Sequence, residues 1–344
     1  MFYQKDFVQK YLEALKKEIL DTYQQEEIDT LYIGGGTPSS LTIEELKYLF
    51  EITNLFKKSK DCEFTIECNI TDTTYEKLLL FKKNGINRIS FGVQSGNSKF
   101  LEFLGRKNTN IEVSKVIKLA KEIGLNNINI DLIYALPTQT IKDLEEDLNF
   151  FINLEVPHIS TYSLMIEPHT SFFIKHIEPI DDTLDAKMYQ KICTTLKNNN
   201  FNHYEISNFC KGEYHSKHNM SYWNNEEYYG FGLGASGYIN KKRYTNTRSF
   251  NSYIEGNRKI YEEPLTEYDI ISYEMILGLR LIKGVSKINF KKKYGKEIKD
   301  IFAYKELVEK NLLEETDTAL YIKEDKLYLS NEVMYHFVGS EVNE

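Results

Sequence analysis

Residues 30–46 read TLYIGGGTPSSLTIEEL, and the order of residue types in that stretch sets the architecture. Thr30–Ile33 is a short apolar run of strand character, and it stops at Gly34-Gly35-Gly36-Thr37-Pro38. Glycines let a backbone turn sharply and approach a ligand with its amides exposed. A tight strand-to-helix turn needs one glycine, and this turn has three. Thr42 with Glu45 three residues on is a capping box, which opens a helix. The stretch therefore reads as a strand, a ligand-ready turn and a helix. It is not a phosphate-binding P-loop, because no Lys-Ser/Thr pair follows the glycines.

The same unit repeats outward from there. Upstream, Phe7, Val8, Tyr11, Leu12, Leu15 and Ile19 recur at helical spacing. Downstream, Cys62, Phe64, Ile66 and Cys68 alternate as in a strand, and residues 74–84 form a helix closed by Gly85. Strands are expected at Arg88–Val93, Asn127–Tyr134, Pro157–Leu164 and Tyr204–Ile206. Helices are expected at 111–123, after Thr140 with Asp143, and at 183–199. This rhythm predicts an α/β fold, a parallel sheet covered by helices. With no Rossmann-type nucleotide loop, a barrel or partial barrel is favoured. After residue 245 the pattern changes to a long helix over 266–282, short helices and a Tyr-rich hairpin at Leu320–Leu329. The expected division is a barrel domain over 1–240 and a small, mainly helical C-terminal domain over 241–344.

The 344 residues carry a net charge of −8, with 41% hydrophobic and 27% charged residues. That supports a packed core and excludes wholesale disorder. An acidic chain without a basic stripe argues against nucleic acid as a partner. No apolar run is long enough to span a membrane, and charges run through residues 1–25, so no signal peptide is read. Four scattered cysteines (62, 68, 193, 210) make no disulfide framework and predict a reducing, cytoplasmic setting.

Polar residues gather where the predicted strands end. Glu67 closes one strand, Gln94 follows another, and Asp131 sits near the end of a third. In a parallel barrel these ends share one face, which carries the site. A second group is Cys210, His215, His218, Asn219, Tyr222 and Trp223. Its histidines suit heme iron or zinc, and its aromatics could flank a flat macrocycle. Gly232-Leu-Gly234-Ala-Ser-Gly237 formally matches a dinucleotide motif, but no apolar strand precedes it. It is read as a loop closing the catalytic face.

In family order, the segments YIGGGTPSSL (32–41), TIECN (65–69), NRISFGVQS (87–95), LGR (104–106), NIDLIYALPTQT (129–140), YSLMIEPHT (162–170), YEISNF (204–209) and HNMSYWNNEEYYGFGLGAS (218–236) resemble the radical S-adenosylmethionine superfamily. Within it, the chain is similar to the oxygen-independent coproporphyrinogen III oxidase family and its HemW-type heme chaperone subgroup. The resemblance implies an incomplete (β/α) barrel lacking its first strand. It implies S-adenosylmethionine contacts at Gly35, Gly36, Thr37, Glu67, Gln94, Arg106 and Asp131. Gln94 and Asp131 would take ribose hydroxyls, and Arg106 the methionine carboxylate, which a guanidinium suits. Ile70 and Ala135 stand where the family commonly has proline and glycine.

The family's C-x3-C-x2-C loop for a [4Fe–4S] cluster is absent from this chain. Cys62 and Cys68 on one strand would lie about 20 Å apart, too far to share a cluster. The cluster ligands are expected upstream of Met1, and the strand at 30–33 is expected at an edge. The HNMSYW string resembles the pattern separating heme chaperones from true oxidases. It implies His218 as axial heme ligand, with Asn219, Tyr222 and Trp223 beside the macrocycle. The expected function is heme binding and delivery to an acceptor protein, any peripheral membrane association coming through a partner. The alternatives are coproporphyrinogen III dehydrogenase, a cluster-less binding protein, and a zinc-dependent barrel hydrolase using His215 and His218.

Overall fold

The structure, a computed structural model, describes residues 5–168 and 170–339; His169 of the YSLMIEPHT segment lies outside them. Helix α1 (Lys5–Thr22) leads into β1 (Glu27–Ile33), then α2 (Ile43–Thr53), β2 (Lys57–Cys68), α3 (Tyr75–Lys83) and β3 (Arg88–Gln94). There follow α4 (Ser98–Phe103), α5 (Asn110–Glu122), β4 (Asn127–Tyr134), α6 (Ile141–Asn153) and β5 (His158–Ser163). Next come α7 (Ser171–Ile174), α8 (Asp182–Asn198), β6 (Asn202–Glu205), β7 (Asn208–Cys210) and α9 (Lys217–Trp223). The capping boxes at Thr42 and Thr140 both form, so these helices start where the sequence sets them. Gly85 and Gly124, with φ of 86° and 82°, stop α3 and α5 in the left-handed conformation.

The strands build one curled, half-barrel sheet in the order β1-β2-β3-β4-β5-β7-β6. Strands β1 to β5 are parallel. The final pair departs from the parallel expectation, because β7 runs antiparallel to both β5 and β6. Only Ile206 and Ser207 separate β6 from β7, which permits a hairpin and excludes a crossover helix. Among the described residues β1 pairs with β2 alone and so is an edge strand.

Period-two alternation splits the sheet into two chemistries. Phe64, Ile66, Ile89, Phe91, Ile128, Ile130, Leu132 and Ile159 are buried in the main core with residues of the covering helices. The alternate set holds Glu63, Thr65, Glu67, Arg88, Ser90, Asn129, Asp131, His158 and Ser160. Register places Glu67 beside Ser90, Gly92 beside Asp131, and Asp131 beside Ser160. The polar face is therefore one continuous surface. Ala135, at a position where the resemblance implies glycine, has a φ of 59°. A Cβ in that region costs about 1–2 kcal/mol.

Beyond α9 lie β8 (Ser236–Ile239), β9 (Lys242–Asn246), α10 (Phe250–Ile254), β10 (Lys259–Pro264) and α11 (Glu267–Gly278). β8, β9 and β10 form a three-stranded antiparallel sheet, and the 240/241 division falls in the turn joining its first two strands. The remainder is β11 (Val285–Ser286), α12 (Lys287–Tyr294), α13 (Ile298–Ile301), α14 (Lys305–Glu309), β12 (Leu313–Glu315), β13 (Ala319–Ile322) and α15 (Ser330–Tyr335). The helix expected over 266–282 stops at Gly278. Leu281 instead bridges Glu205 at the end of β6, with Ile206 N donating to Arg280 O and Ile282 N to Tyr204 O (both 3.1 Å). The expected hairpin at 320–329 is also corrected. β13 pairs backward with β12, and residues 324–329 form a 3-10 turn.

The Gly232–Gly237 loop does not close the strand-end face. Gly232 N donates to the buried Glu18 carboxylate on α1 (2.9 Å), as Asn246 Nδ2 does (2.6 Å). Tyr229 and Phe231 pack on the apolar side of α1 and α2. The loop is tied to α1, the helix beside the edge strand.

Candidate functional site

The turn after β1 is seated on two side chains. A Cβ at Gly34 would lie 2.6 Å from Tyr32 and 2.8 Å from Glu67, so only glycine fits. Gly35 follows with a φ of +81°, and space opens around Gly35 and Gly36. Gly35 N donates to Glu67 Oε2 (3.2 Å), and Tyr32 OH donates to Glu67 Oε1 (2.7 Å). Pro38–Ser40 is a short 3-10 turn. Its Ser39 Oγ accepts from Asn69 N (2.9 Å), and Asn69 Nδ2 reaches Thr37 Oγ1 (3.5 Å).

Asn69 is the hub between strands. Its Oδ1 accepts from Arg106 Nη1 (2.7 Å). Arg106 borders a cavity of about 150 Å³ between Asn69–Thr71 and Gly105–Asn108. Gly92 on β3 leaves the room above it: a Cβ there would lie 3.0 Å from Gln94 Nε2 and 3.7 Å from Arg106 Nη2. Gln94 has a φ of 74°, and its buried Oε1 has no hydrogen-bond partner. The turn beyond it is fixed by Asp147 on α6, which accepts from Ser95 Oγ (2.9 Å) and Gly96 N (2.6 Å). Asp131 accepts from Asn129 Nδ2 (2.8 Å). Burial, reinforced by the Glu67 carboxylate, pushes the Asp131 carboxyl up to about 6. Gly35, Thr37, Glu67, Gln94, Arg106 and Asp131 thus sit on one side of the sheet at its strand ends, linked by direct contacts or neighbouring register.

The second expected group is placed by α9. Ser216 caps that helix, accepting from Asn219 N. The backbone amides of Lys217 and His218 both donate to the Glu63 carboxylate on β2 (3.0 Å each). This sets α9 against the polar face of β1 and β2. His218 Nδ1 bonds Thr30 Oγ1 (2.8 Å) and Nε2 bonds Tyr222 OH (2.7 Å). Its ring stacks on Tyr32 at 5.0 Å and 20°. Burial pushes its pKa down to about 4, so the ring is neutral at pH 7. Trp223 lies under the Arg280 guanidinium, 4.4 Å from the ring centre. His215 stands edge-on to Tyr204.

With both His218 nitrogens engaged, the zinc reading loses one of its two ligands. Among the described residues no three His, Cys, Asp or Glu side chains group to hold a metal ion. The cysteines do not fit a [4Fe–4S] cluster either. Cys62 and Cys68 share β2, Cys193 is on α8 and Cys210 on β7. Burial pushes their thiols up to about 11, 12, 12 and 11, so all four are neutral thiols at pH 7.

The strand-end residues, by contrast, offer what an adenosylated amino acid needs. An open glycine turn, two carboxylates, a guanidinium and an unpartnered amide oxygen converge. Tyr32, Glu63, Asn69 and Asp147 hold this site together without standing out in the sequence. Glu63 lies four residues before Glu67 on the same face of β2, so alternation could have flagged it, and Asn69 follows the strand directly. Asp147 looked like any exposed helix acid.

Comparison with known proteins identifies the family and the fold. Residues 3–151 match the radical SAM superfamily, and residues 265–325 match the HemN C-terminal domain. Over 98% of this chain and 93% of the relative, the sequence is 39% identical to the heme chaperone HemW of Bacillus subtilis (strain 168). The chain belongs to the HemW heme chaperone family. The HemW of Lactococcus lactis subsp. lactis (strain IL1403) is 36% identical over 98% of the chain and 91% of that relative. Coproporphyrinogen III oxidase (HemN) from Escherichia coli, described as a radical SAM enzyme, superposes with a TM-score of 0.86. That match covers 98% of this chain and 84% of the other at 19% identity, and it shows the fold. Membership of the superfamily implies S-adenosylmethionine and a [4Fe–4S] cluster as cofactors.

Proposed function

We propose that this protein is a heme chaperone, binding heme and passing it to an acceptor protein in the cytoplasm. One observation carries the reading: 39% identity to a heme chaperone HemW, extending over 98% of this chain. The coproporphyrinogen dehydrogenase alternative rests on a 19% identical structure, which speaks to fold alone.

S-adenosylmethionine is assigned to the strand-end site. Gly35, Gly36 and Thr37 offer backbone groups and a hydroxyl to its amino-acid portion, and Glu67 accepts from its amine. Arg106, braced by Asn69, pairs with the carboxylate. Gln94 and Asp131 take ribose hydroxyls. Asp131, raised to about 6, is ionised at pH 7 and accepts. The bound cofactor supplies a sulfonium whose reductive cleavage requires a cluster that the described residues do not hold.

The test is hemin titration followed by the Soret band, then incubation of the loaded protein with an apo heme protein. Transfer of the band to the acceptor is the expected result. Absence of hemin binding, or turnover of coproporphyrinogen III to its divinyl product, would refute the chaperone reading.

A further inference from the structure

Helix α9 carries a histidine with no free nitrogen. His218 Nδ1 and Nε2 are bonded to Thr30 and Tyr222, and the ring lies flat on Tyr32. A neutral imidazole has one lone-pair nitrogen, and here a hydroxyl sits against each nitrogen. Iron could reach one only by breaking the bond that ties α9 to β1 or the one that fixes Tyr222 within α9. The ring's closest functional connection runs the other way. Tyr32, on which it stacks, donates to Glu67, and Glu67 accepts from Gly35 of the open turn. Gly34 wedges the same two side chains, since a Cβ there would meet both. Tyr32 is therefore fixed on one face by His218, at its hydroxyl by Glu67, and at its edge by Gly34.

We infer that His218 is a positioning residue for the S-adenosylmethionine site, acting through Tyr32 to hold the Glu67 carboxylate beneath the glycine turn. The inference rests on the assignment of that site under the proposed function. It gives the histidine of the HNMSYW string a role in seating the amino-acid end of the ligand. Removing the ring leaves Tyr32 without its stacking partner and lets the Tyr32–Glu67 unit drift from Gly35. A ligand with an amine to present to Glu67 then binds more weakly. A ligand lacking that end does not notice.

The experiment uses calorimetric titration of the full chain with S-adenosylhomocysteine and, separately, 5′-methylthioadenosine, which lacks the amino-acid end. Wild type is compared with His218→Ala, His218→Phe and Tyr32→Phe. Loss of one hydrogen bond to a charged group corresponds to about a tenfold weaker Kd. His218→Ala is expected to show about that loss for S-adenosylhomocysteine and no change for 5′-methylthioadenosine. Tyr32→Phe, which deletes only the hydroxyl facing Glu67, is expected to do the same and guards against a folding defect in the alanine variant. His218→Phe keeps a flat ring on Tyr32 and is expected to restore most of the affinity. Hemin titrations of all four proteins are expected to give one Soret band of equal affinity. Equal loss of both nucleosides, or no rescue by phenylalanine, overturns the inference. Loss of the hemin band in His218→Phe overturns it in favour of an iron ligand. Failure of wild type to bind S-adenosylhomocysteine overturns the site assignment itself, and this inference falls with it.

Discussion

Replacing Asp147 by alanine tests how the turn carrying Gln94 is held. Asp147 is 1% exposed and accepts from the Ser95 hydroxyl with both oxygens (2.9 Å) and from Gly96 N (2.6 Å). Gln94, with its φ of 74°, sits immediately before this clamp. Two donors losing a charged acceptor cost about 3–6 kcal/mol. Burial of the carboxylate works in the opposite direction. It dominates the shift of that carboxyl from 3.8 to about 6, which offsets about 3 kcal/mol of stability at pH 7. The net expectation is a loss of about 2 kcal/mol at pH 7. The pH dependence follows from the raised carboxyl. Between 3.8 and about 6 the folded state binds more protons than the unfolded state, so wild type gains stability as the pH falls. The variant lacks that gain. The gap between the two proteins should widen by about 1 kcal/mol from pH 7 to pH 5. Urea unfolding at both pH values measures it. A variant no less stable than wild type at pH 7, or a gap that narrows on acidification, refutes the clamp.

Three further expectations concern the same face. Asp131→Asn removes a carboxyl raised to about 6, so relative to wild type the variant should gain about 2 kcal/mol in urea unfolding as the pH rises from 4 to 7. Glu63→Ala deprives two backbone amides of α9 of their acceptor, with an expected loss of about 3 kcal/mol and faster proteolysis near residues 211–224. Asn69→Ala frees Arg106, and calorimetry should show S-adenosylhomocysteine binding weakened about fivefold with hemin affinity unchanged.

The barrel portion was legible because its signals are local. Most of the caps and helix stops there are written within a few residues, as Thr42 with Glu45 or Gly85 after α3 shows. The strand-end positions of Glu67, Gln94 and Asp131 followed from topology alone. What stayed hidden depends on partners far along the chain. Glu63 acquires its meaning from amides 154 and 155 residues away, and Asp147 from a turn 51 residues back. The β6–β7 hairpin looked like one strand because its turn, Ile206-Ser207, carries neither glycine nor asparagine. His218 was read as a ligand type, and its hydroxyl partners come from β1 and from its own helix.

The pairing of residues 280–282 with the end of β6 has a consequence for the life of the chain in a crowded solution. A bare outer strand is a template on which a second copy can build. Here the segment after α11 occupies part of that template through two backbone hydrogen bonds. The C-terminal region therefore acts as a guard against self-association, whatever else it contributes. A chain cut between β10 and α11 would keep every residue of the strand-end site and yet expose Tyr204–Ile206. Such a fragment should form concentration-dependent oligomers, seen by light scattering, before it loses secondary structure.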